Sequence, residues 1–140
     1  MDQDQKLWGS LKIQNFGYKF YSMLSDSLLA VANLLLPEVL IEYFELTKHE
    51  LKGEELHFYF TENNSIPKEF KNQNLSSKGF FPEATLQDFP LRGKPVFLHI
   101  TRRRWINETS NKVVTRDWGL VAKGTRMTNE FATFLKEIHL

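Results

Sequence analysis

Basic residues are concentrated between residues 92 and 126 of this 140-residue chain. This stretch has nine Lys and Arg against only Glu108 and Asp117, a local net charge of +7, although the whole chain carries only +1. Guanidinium groups bind phosphate oxygens bidentately, so a cationic surface with aromatic rings suits a polyanion, most often a nucleic acid. The candidate contact residues are Arg92, Lys94, Arg102, Arg103, Arg104, Lys112, Arg116, Lys123 and Arg126.

The arginines have two interpretations. In a hairpin that turns at Asn107–Asn111, Arg116 falls opposite or diagonal to Arg102–Arg104, and facing like charges cost stability unless an anion lies between them. Phosphate could be that anion. Alternatively, the first half of the chain folds over this strand and supplies Glu partners, since residues 1–70 carry six Lys, no Arg and eleven Asp or Glu.

Trp105 and Trp118 follow these arginines and could stack on unpaired bases, but a strand tryptophan more often packs in a core, and we expect core positions. The turn Lys123-Gly124-Thr125-Arg126 is typical of a phosphate contact, because Gly124 permits close backbone approach at a helix start. It lacks the other glycines of a nucleotide-binding loop.

Other chemistry has little support in the sequence. There is no cysteine, which excludes disulfides, thiolate zinc sites and thiol nucleophiles. The four histidines lack ligand spacing, and we expect His57 and His99 to have hydrogen-bonded structural roles. The spacing of Glu83, Asp88 and Asp117 does not single out a nuclease site, and Asp117 is expected to orient an arginine. The sequence therefore predicts a binding domain without catalytic residues, metal or cofactor.

The chain is long enough for one domain. We predict an amino-terminal extension over residues 1–22 and a single domain over 23–140, with either Met1 or Met23 as the start. The longest apolar run, Ser27–Leu36, is too short to span a bilayer, so we expect a cytoplasmic protein without a membrane partner.

Hydrophobic periodicity predicts the first elements. A helix should follow the cap cluster Ser25–Ser27 and stop at Pro37, with a short helical turn through Leu40. From Tyr43 the period changes to two, which predicts a hairpin that turns at Lys52–Glu54, with Lys48 sharing the face of Phe44 and Leu46. The polar stretch Asn63–Gly79 is expected to be a loop.

A second β-region should begin near Thr85. Pro90 and Gly93 mark a tight turn, and Pro95 opens a long strand that continues to Trp105, with Lys112–Trp118 as its partner. A helix should start near Asn129, capped by Thr128. The predicted fold is α+β: a small antiparallel sheet built from two hairpins, flanked by an amino-terminal and a carboxy-terminal helix.

Several strings across residues 28–140 together resemble the amino-terminal region of bacterial insertion-sequence transposases of the ISAon type. They are Leu34-Leu35-Leu36-Pro37-Glu38, Lys78-Gly79-Phe80-Phe81, the segment Leu86–Val96, Arg102-Arg103-Arg104-Trp105, Arg116-Asp117-Trp118 and Lys123–Thr128. The middle segment is more distantly similar to the zinc-ribbon region of ISL-type transposases. The places of the zinc ligands there correspond to Pro67–Asn74 and Ile106–Lys112, which contain no cysteine, so the zinc is not implied here.

The resemblance implies that this chain binds the terminal inverted repeats of its element and that the nuclease domain is encoded elsewhere. An alternative is a protein-interaction module that docks the transposase catalytic part through the apolar stripes Leu28–Leu36 and Phe131–Ile138. Self-association into a homo-oligomer stays open.

Overall fold

The computed structural model describes residues 26–114 and 116–138. The contacts between residues divide the chain into two compact units, with the boundary between Glu38 and Val39. The predicted extension over residues 1–22, the choice between Met1 and Met23, and the start of the first helix lie outside the described residues.

The predicted α+β fold is confirmed. The helices are α1 (residues 26–35), α2 (Glu38–Tyr43), a 3-10 turn at Lys68–Phe70, and α3 (Asn129–Ile138). The strands are β1 (Phe44–Lys52), β2 (Glu55–Glu62), β3 (Leu75–Phe80), β4 (Ala84–Leu91), β5 (Lys94–Thr101), β6 (Arg103–Asn107) and β7 (Lys112–Val114). None of these helices is long and apolar enough to cross a membrane.

Both helices near the amino terminus follow the predicted pattern. Pro37 separates α1 from α2, because proline lacks the amide proton that would continue the first helix. The predicted short turn through Leu40 is α2, and Leu40 is completely buried.

Two hairpins form a four-stranded sheet with the order β1-β2-β5-β4. The β1–β2 and β4–β5 pairs are antiparallel, and the parallel pairing of β2 with β5 joins the hairpins. The first turn contains Gly53 at a φ of 58°, and the second contains Arg92 and Gly93 at 52° and 78°. In the second turn, the positive φ at both central positions suits a two-residue hairpin loop. Pro90 thus lies within β4, before the turn, and not at it.

A register shift corrects the predicted face of Lys48. The β1–β2 pairing shifts between Leu46 and Lys48, so that Leu46 pairs with Phe60 whereas Lys48 pairs with Tyr59. An inserted residue reverses the alternation of side chains between the two faces. The Lys48 side chain therefore lies on the opposite face of β1 from Phe44 and Leu46.

The other three strands form a second sheet with the order β3-β6-β7. The prediction of a loop over Asn63–Gly79 is wrong in its second part, where β3 pairs with β6. The polar sequence of β3 concealed it, because only Leu75 among its side chains is buried.

The predicted continuous strand from Pro95 to Trp105 is also wrong. It is interrupted at Arg102, where the chain leaves the four-stranded sheet and enters the three-stranded one. Val96, Leu98 and Ile100 are buried before the break, and Trp105 is buried after it, so the buried positions change from even to odd. The returning strand is also shorter than the predicted Lys112–Trp118, since β7 is Lys112–Val114.

The carboxy-terminal helix is anchored by its predicted cap. The Thr128 hydroxyl accepts the amide of Phe131 at 3.4 Å and donates to Asp88 of β4 at 2.8 Å. Thr128 and Asp88 are both buried, and Phe131 packs on Phe89 of β4 with ring centroids 5.3 Å apart. The cap therefore fixes both the start of α3 and its position on the sheet.

Thr128→Ala should lower the free energy of unfolding by about 2 kcal/mol, because it removes the cap and leaves the buried Asp88 without its donor. Thr133→Ala is the matched control, since Thr133 is exposed on the same helix and alanine is the better helix former. Urea unfolding measures the free energy of unfolding of both variants. Equal stabilities for the two variants would contradict this role of Thr128.

Candidate nucleic-acid interface

The carboxyl group of Glu62, at the end of β2, is buried under the arginine strand. It accepts the indole N–H of Trp105 at 2.6 Å and the backbone amide of Arg103 at 3.2 Å. The Arg103 side chain donates from Nε to the Glu62 carbonyl oxygen at 2.9 Å and from Nη1 to the Ser77 hydroxyl at 3.0 Å. Arg103 also stacks over the Phe80 ring. Its guanidinium is thus directed into the protein.

Burial raises the pKa of the Glu62 carboxyl, because the low-dielectric interior disfavours the carboxylate. The hydrogen bonds from Trp105 and Arg103, and the positive charges of Arg103 and Arg116, act in the opposite direction without overcoming burial.

Arg116 is also held internally. Its Nε pairs with the Glu69 carboxylate at 2.5 Å, and its guanidinium lies 3.8 Å from the ring centroid of Trp118 and 4.7 Å from that of Tyr43. Glu62 and Glu69 both belong to the acidic first half. For Arg116, the anion that the facing arginines required is therefore supplied by the chain itself, whereas the Arg103 guanidinium donates to a backbone carbonyl and a hydroxyl group.

Both tryptophans serve packing, as predicted. Trp105 is 4% exposed. Trp118 is partly buried and meets Phe44 and Tyr43 with ring centroids 5.0 and 5.3 Å apart. One face of Trp118 is occupied by Arg116, so that face is closed to a nucleic-acid base.

The remaining candidate cations are directed outward or lie partly exposed. Within residues 26–114 and 116–138, none of them forms an ion pair with a carboxylate. Of this group, Arg92, Arg104, Lys112, Lys123 and Arg126 are exposed, while Lys94 and Arg102 are partly buried. The nearby Glu108 carboxylate is occupied by the Ser76 hydroxyl and by Lys78 at 3.7 Å. The Ser76 hydrogen bond and the charge of Lys78 lower the pKa of Glu108.

The structure brings only part of the predicted set together. Arg102, Arg103 and Arg116 surround one small cavity beside Glu62. The Arg104 side chain lies on the opposite face of β6 from Arg103, because neighbouring strand residues alternate.

The other candidates lie farther away. Arg92 and Lys94 lie at the other end of β5, and the eight residues of extended chain from Lys94 to Arg102 span about 26 Å. Lys123 and Arg126 lie next to β4, where the Gln87 amide donates to the Arg126 carbonyl at 2.8 Å.

The Lys123–Arg126 turn is closed by its own hydrogen bonds. The Thr125 hydroxyl donates to the Ala122 carbonyl at 2.8 Å, and Gly124 has a φ of 78°. Helix α3 begins only at Asn129, so the turn precedes the helix start and does not form it. Its amides can still face solvent, since Lys123, Gly124 and Arg126 are exposed.

The carboxylates considered for a nuclease site have structural partners instead. Asp88 is bound to Thr128, and Asp117 accepts the amide of Gly119 at 2.9 Å. The expectation that Asp117 orients an arginine is therefore corrected: its bonded partner is a backbone amide. In the described part of the chain, no group of three or more His, Asp or Glu side chains is arranged to hold a metal ion.

Sequence reasoning missed a histidine network on the outer face of the four-stranded sheet. His57 Nδ1 and His99 Nε2 are 2.8 Å apart, and the outer ring nitrogens contact Glu55 at 3.2 Å and Glu83 at 3.1 Å. The Tyr59 ring stacks on His99 with a centroid separation of 4.2 Å. The hydrogen-bonded role expected for both histidines is confirmed, but their pairing depends on the β2–β5 register, which no sequence signal specified.

Comparison of the chain with protein-family models, with curated proteins and with solved structures finds no match.

Glu62→Gln should change how stability depends on pH. The pKa of Glu62 is raised in the folded state, so the folded protein holds this proton more tightly than the unfolded chain does. Protonation of Glu62 therefore adds to the stability of the fold at low pH, and this contribution is lost as pH rises through the folded pKa. Glutamine does not titrate. The unfolding free energy of the wild type, relative to the variant, should therefore be greater at about pH 5 than at about pH 7.5.

Urea unfolding at both pH values tests this, with Glu54→Gln in the first hairpin turn as an exposed carboxyl control. A wild-type advantage that stays constant, or that grows toward pH 7.5, would show that burial does not govern the Glu62 carboxyl.

Proposed function

We propose that this chain is the non-catalytic amino-terminal region of a transposase, acts in the cytoplasm and binds the DNA ends of its insertion sequence. The observation that carries DNA binding is the exposure of Arg104 and Lys112 on the β6–β7 hairpin, without carboxylate partners among the described residues. The transposase assignment rests on the sequence resemblance.

The geometry of the hairpin favours a groove over a flat surface. Lys112 pairs with Asn107 and so shares its face, whereas Arg104 leaves the other face. A ligand that meets both cations must extend along both faces of the hairpin. The major groove of duplex DNA admits a two-stranded ribbon and has phosphates on either side.

The hairpin turn is well suited to enter such a groove. Asn107 Oδ1 accepts the amides of Thr109 and Ser110 at 2.9 and 3.1 Å, and Asn111 has a φ of 56° and donates to the Asn107 carbonyl. These bonds fix the turn before any ligand binds, so little conformational entropy is lost on association. β7 is also an edge strand, with no strand on its outer side in the described sheet.

The double variant Arg104→Gln with Lys112→Gln should weaken binding to duplexes that contain the inverted repeats flanking the gene. The loss of two phosphate contacts should reduce the slope of log affinity against log salt by about 1.8. Fluorescence anisotropy across a salt series measures the slope.

Lys68→Gln with Lys71→Gln removes the same charge from exposed positions around the 3-10 turn and is the matched control. An equal effect of the two double variants would show that net charge alone governs binding. Absence of wild-type binding at low salt would reject the DNA proposal.

A second candidate function, docking of the transposase catalytic part, is favoured by a different observation. Helix α1 has large apolar side chains with exposed fractions from 48% to 85%, and α3 exposes Phe134 and Ile138. The exposed residues of α1 are Leu28, Leu29, Val31, Leu34 and Leu35.

Light scattering of the chain mixed with the product of the adjacent reading frame tests docking. We expect a complex without DNA that Leu28→Ser with Leu35→Ser disrupts and that Arg104→Gln with Lys112→Gln preserves. If the complex forms only with DNA present, or persists in the leucine variant, docking through α1 is wrong.

A further inference from the structure

We propose that a cavity beside the four-stranded sheet binds a small organic carboxylate with an apolar body, a ligand separate from DNA. The cavity has a volume of about 420 Å³ and lies between β4, β5 and the segment 116–121. This volume falls within the range of about 300–1,000 Å³ that is usual for small-molecule sites.

One part of the cavity wall is apolar. It is formed by Ala84 and Leu86 of β4, Ile100 of β5, and Leu120 and Val121 of the following segment. Leu86 and Ile100 are 4% and 3% exposed, so this wall is continuous with the core. A hydrocarbon or aromatic group placed here would be removed from water, which favours binding in proportion to its apolar area.

The other part of the wall is cationic. Arg102 and Arg116 both line the cavity, and among the described residues Arg102 has a ring contact with Phe81 at 5.0 Å and no carboxylate partner. Arg116 also lines the cavity, but its Nε already pairs with the Glu69 carboxylate. Among the described residues, Arg102 is therefore the guanidinium of this wall that a ligand meets without a competing carboxylate.

Asp117 does not cancel this preference for an anion. Asp117 also lines the cavity, but its carboxylate already accepts the Gly119 amide. Because Glu69 balances the charge of Arg116, the carboxylate of a ligand is held by hydrogen bonds to Arg102 and not by an excess of positive charge in the lining.

The two walls together select the ligand class. A neutral apolar compound would remove the guanidinium groups from water without offering them hydrogen-bond acceptors. Inorganic phosphate would leave the apolar wall in contact with water. Trp118 is the aromatic residue of the lining, and the ring face that Arg116 covers at 3.8 Å is closed to an unpaired base. A carboxylate accepts bidentate hydrogen bonds from arginine while its apolar body contacts the aliphatic side chains.

Calorimetric titration with benzoate and octanoate, each compared with its neutral amide, tests the site. We expect at least one carboxylate to bind the wild type, and its amide to bind at least about tenfold more weakly, since charge-assisted hydrogen bonds are lost. Arg102→Gln should weaken carboxylate binding by about tenfold or more for the same reason.

Two further variants test whether carboxylate binding takes place in this cavity. Ala84→Phe places a ring at the cavity wall and should abolish binding, while circular dichroism checks that the chain stays folded. Lys136→Gln removes one exposed charge from α3 and should leave carboxylate binding unchanged.

Binding of neither carboxylate, equal binding of acid and amide, or full binding by Arg102→Gln would overturn the proposal. The DNA titrations are independent of this site, because Ala84→Phe removes the cavity while Arg104 and Lys112 stay in place. Failure of one proposal is therefore distinguishable from failure of the other.

Discussion

The structure of the residues after Val39 depends on one buried contact, the carboxyl group of Glu62 with the indole N–H of Trp105. Glu62 ends β2 of the four-stranded sheet, and Trp105 lies in β6 of the three-stranded sheet, so this contact joins the two sheets. The same carboxyl accepts the Arg103 amide directly after the break at Arg102. A buried carboxyl needs such donors, because an unpaired one would be strongly destabilising. The path of the chain from one sheet to the other is thereby fixed.

This constraint divides the basic residues into two groups. Arg103 donates to the backbone carbonyl of Glu62, Arg116 pairs with the Glu69 carboxylate, and both stack on aromatic rings, so they serve the fold. Arg104 and Lys112 have no such partners among the described residues, so they carry the proposed DNA contacts. Adjacent arginines in one motif thus have different roles, set by strand alternation. The +7 charge of residues 92–126 overstates the charge that a ligand meets.

The elements with strong local signals could be predicted from the sequence. Alternating side chains and turn residues indicated both hairpins, and Thr128 before an apolar stripe indicated α3. Strand β3 could not be predicted, because its pairing with β6 stabilises a polar segment without an apolar pattern of its own. The break at Arg102 could not be predicted, because β5 and β6 are both extended and the break only marks where the chain passes from one sheet to the other. The Glu69–Arg116 ion pair, and the bond from the Arg103 backbone amide to the Glu62 carboxyl, each join residues more than 40 positions apart and depend on tertiary structure. The acidic first half indicated only that carboxylate partners were available.

The central claim is that the outward cations of the β6–β7 hairpin, and not the internal arginines, meet DNA. Backbone amide chemical shifts recorded while duplex DNA is added test this claim residue by residue. The account predicts that the largest changes occur at Arg104 and in the turn through Lys112, while His57 and His99 on the outer face of the other sheet stay unchanged. Changes concentrated at the histidine face, or spread evenly over the chain, would contradict it.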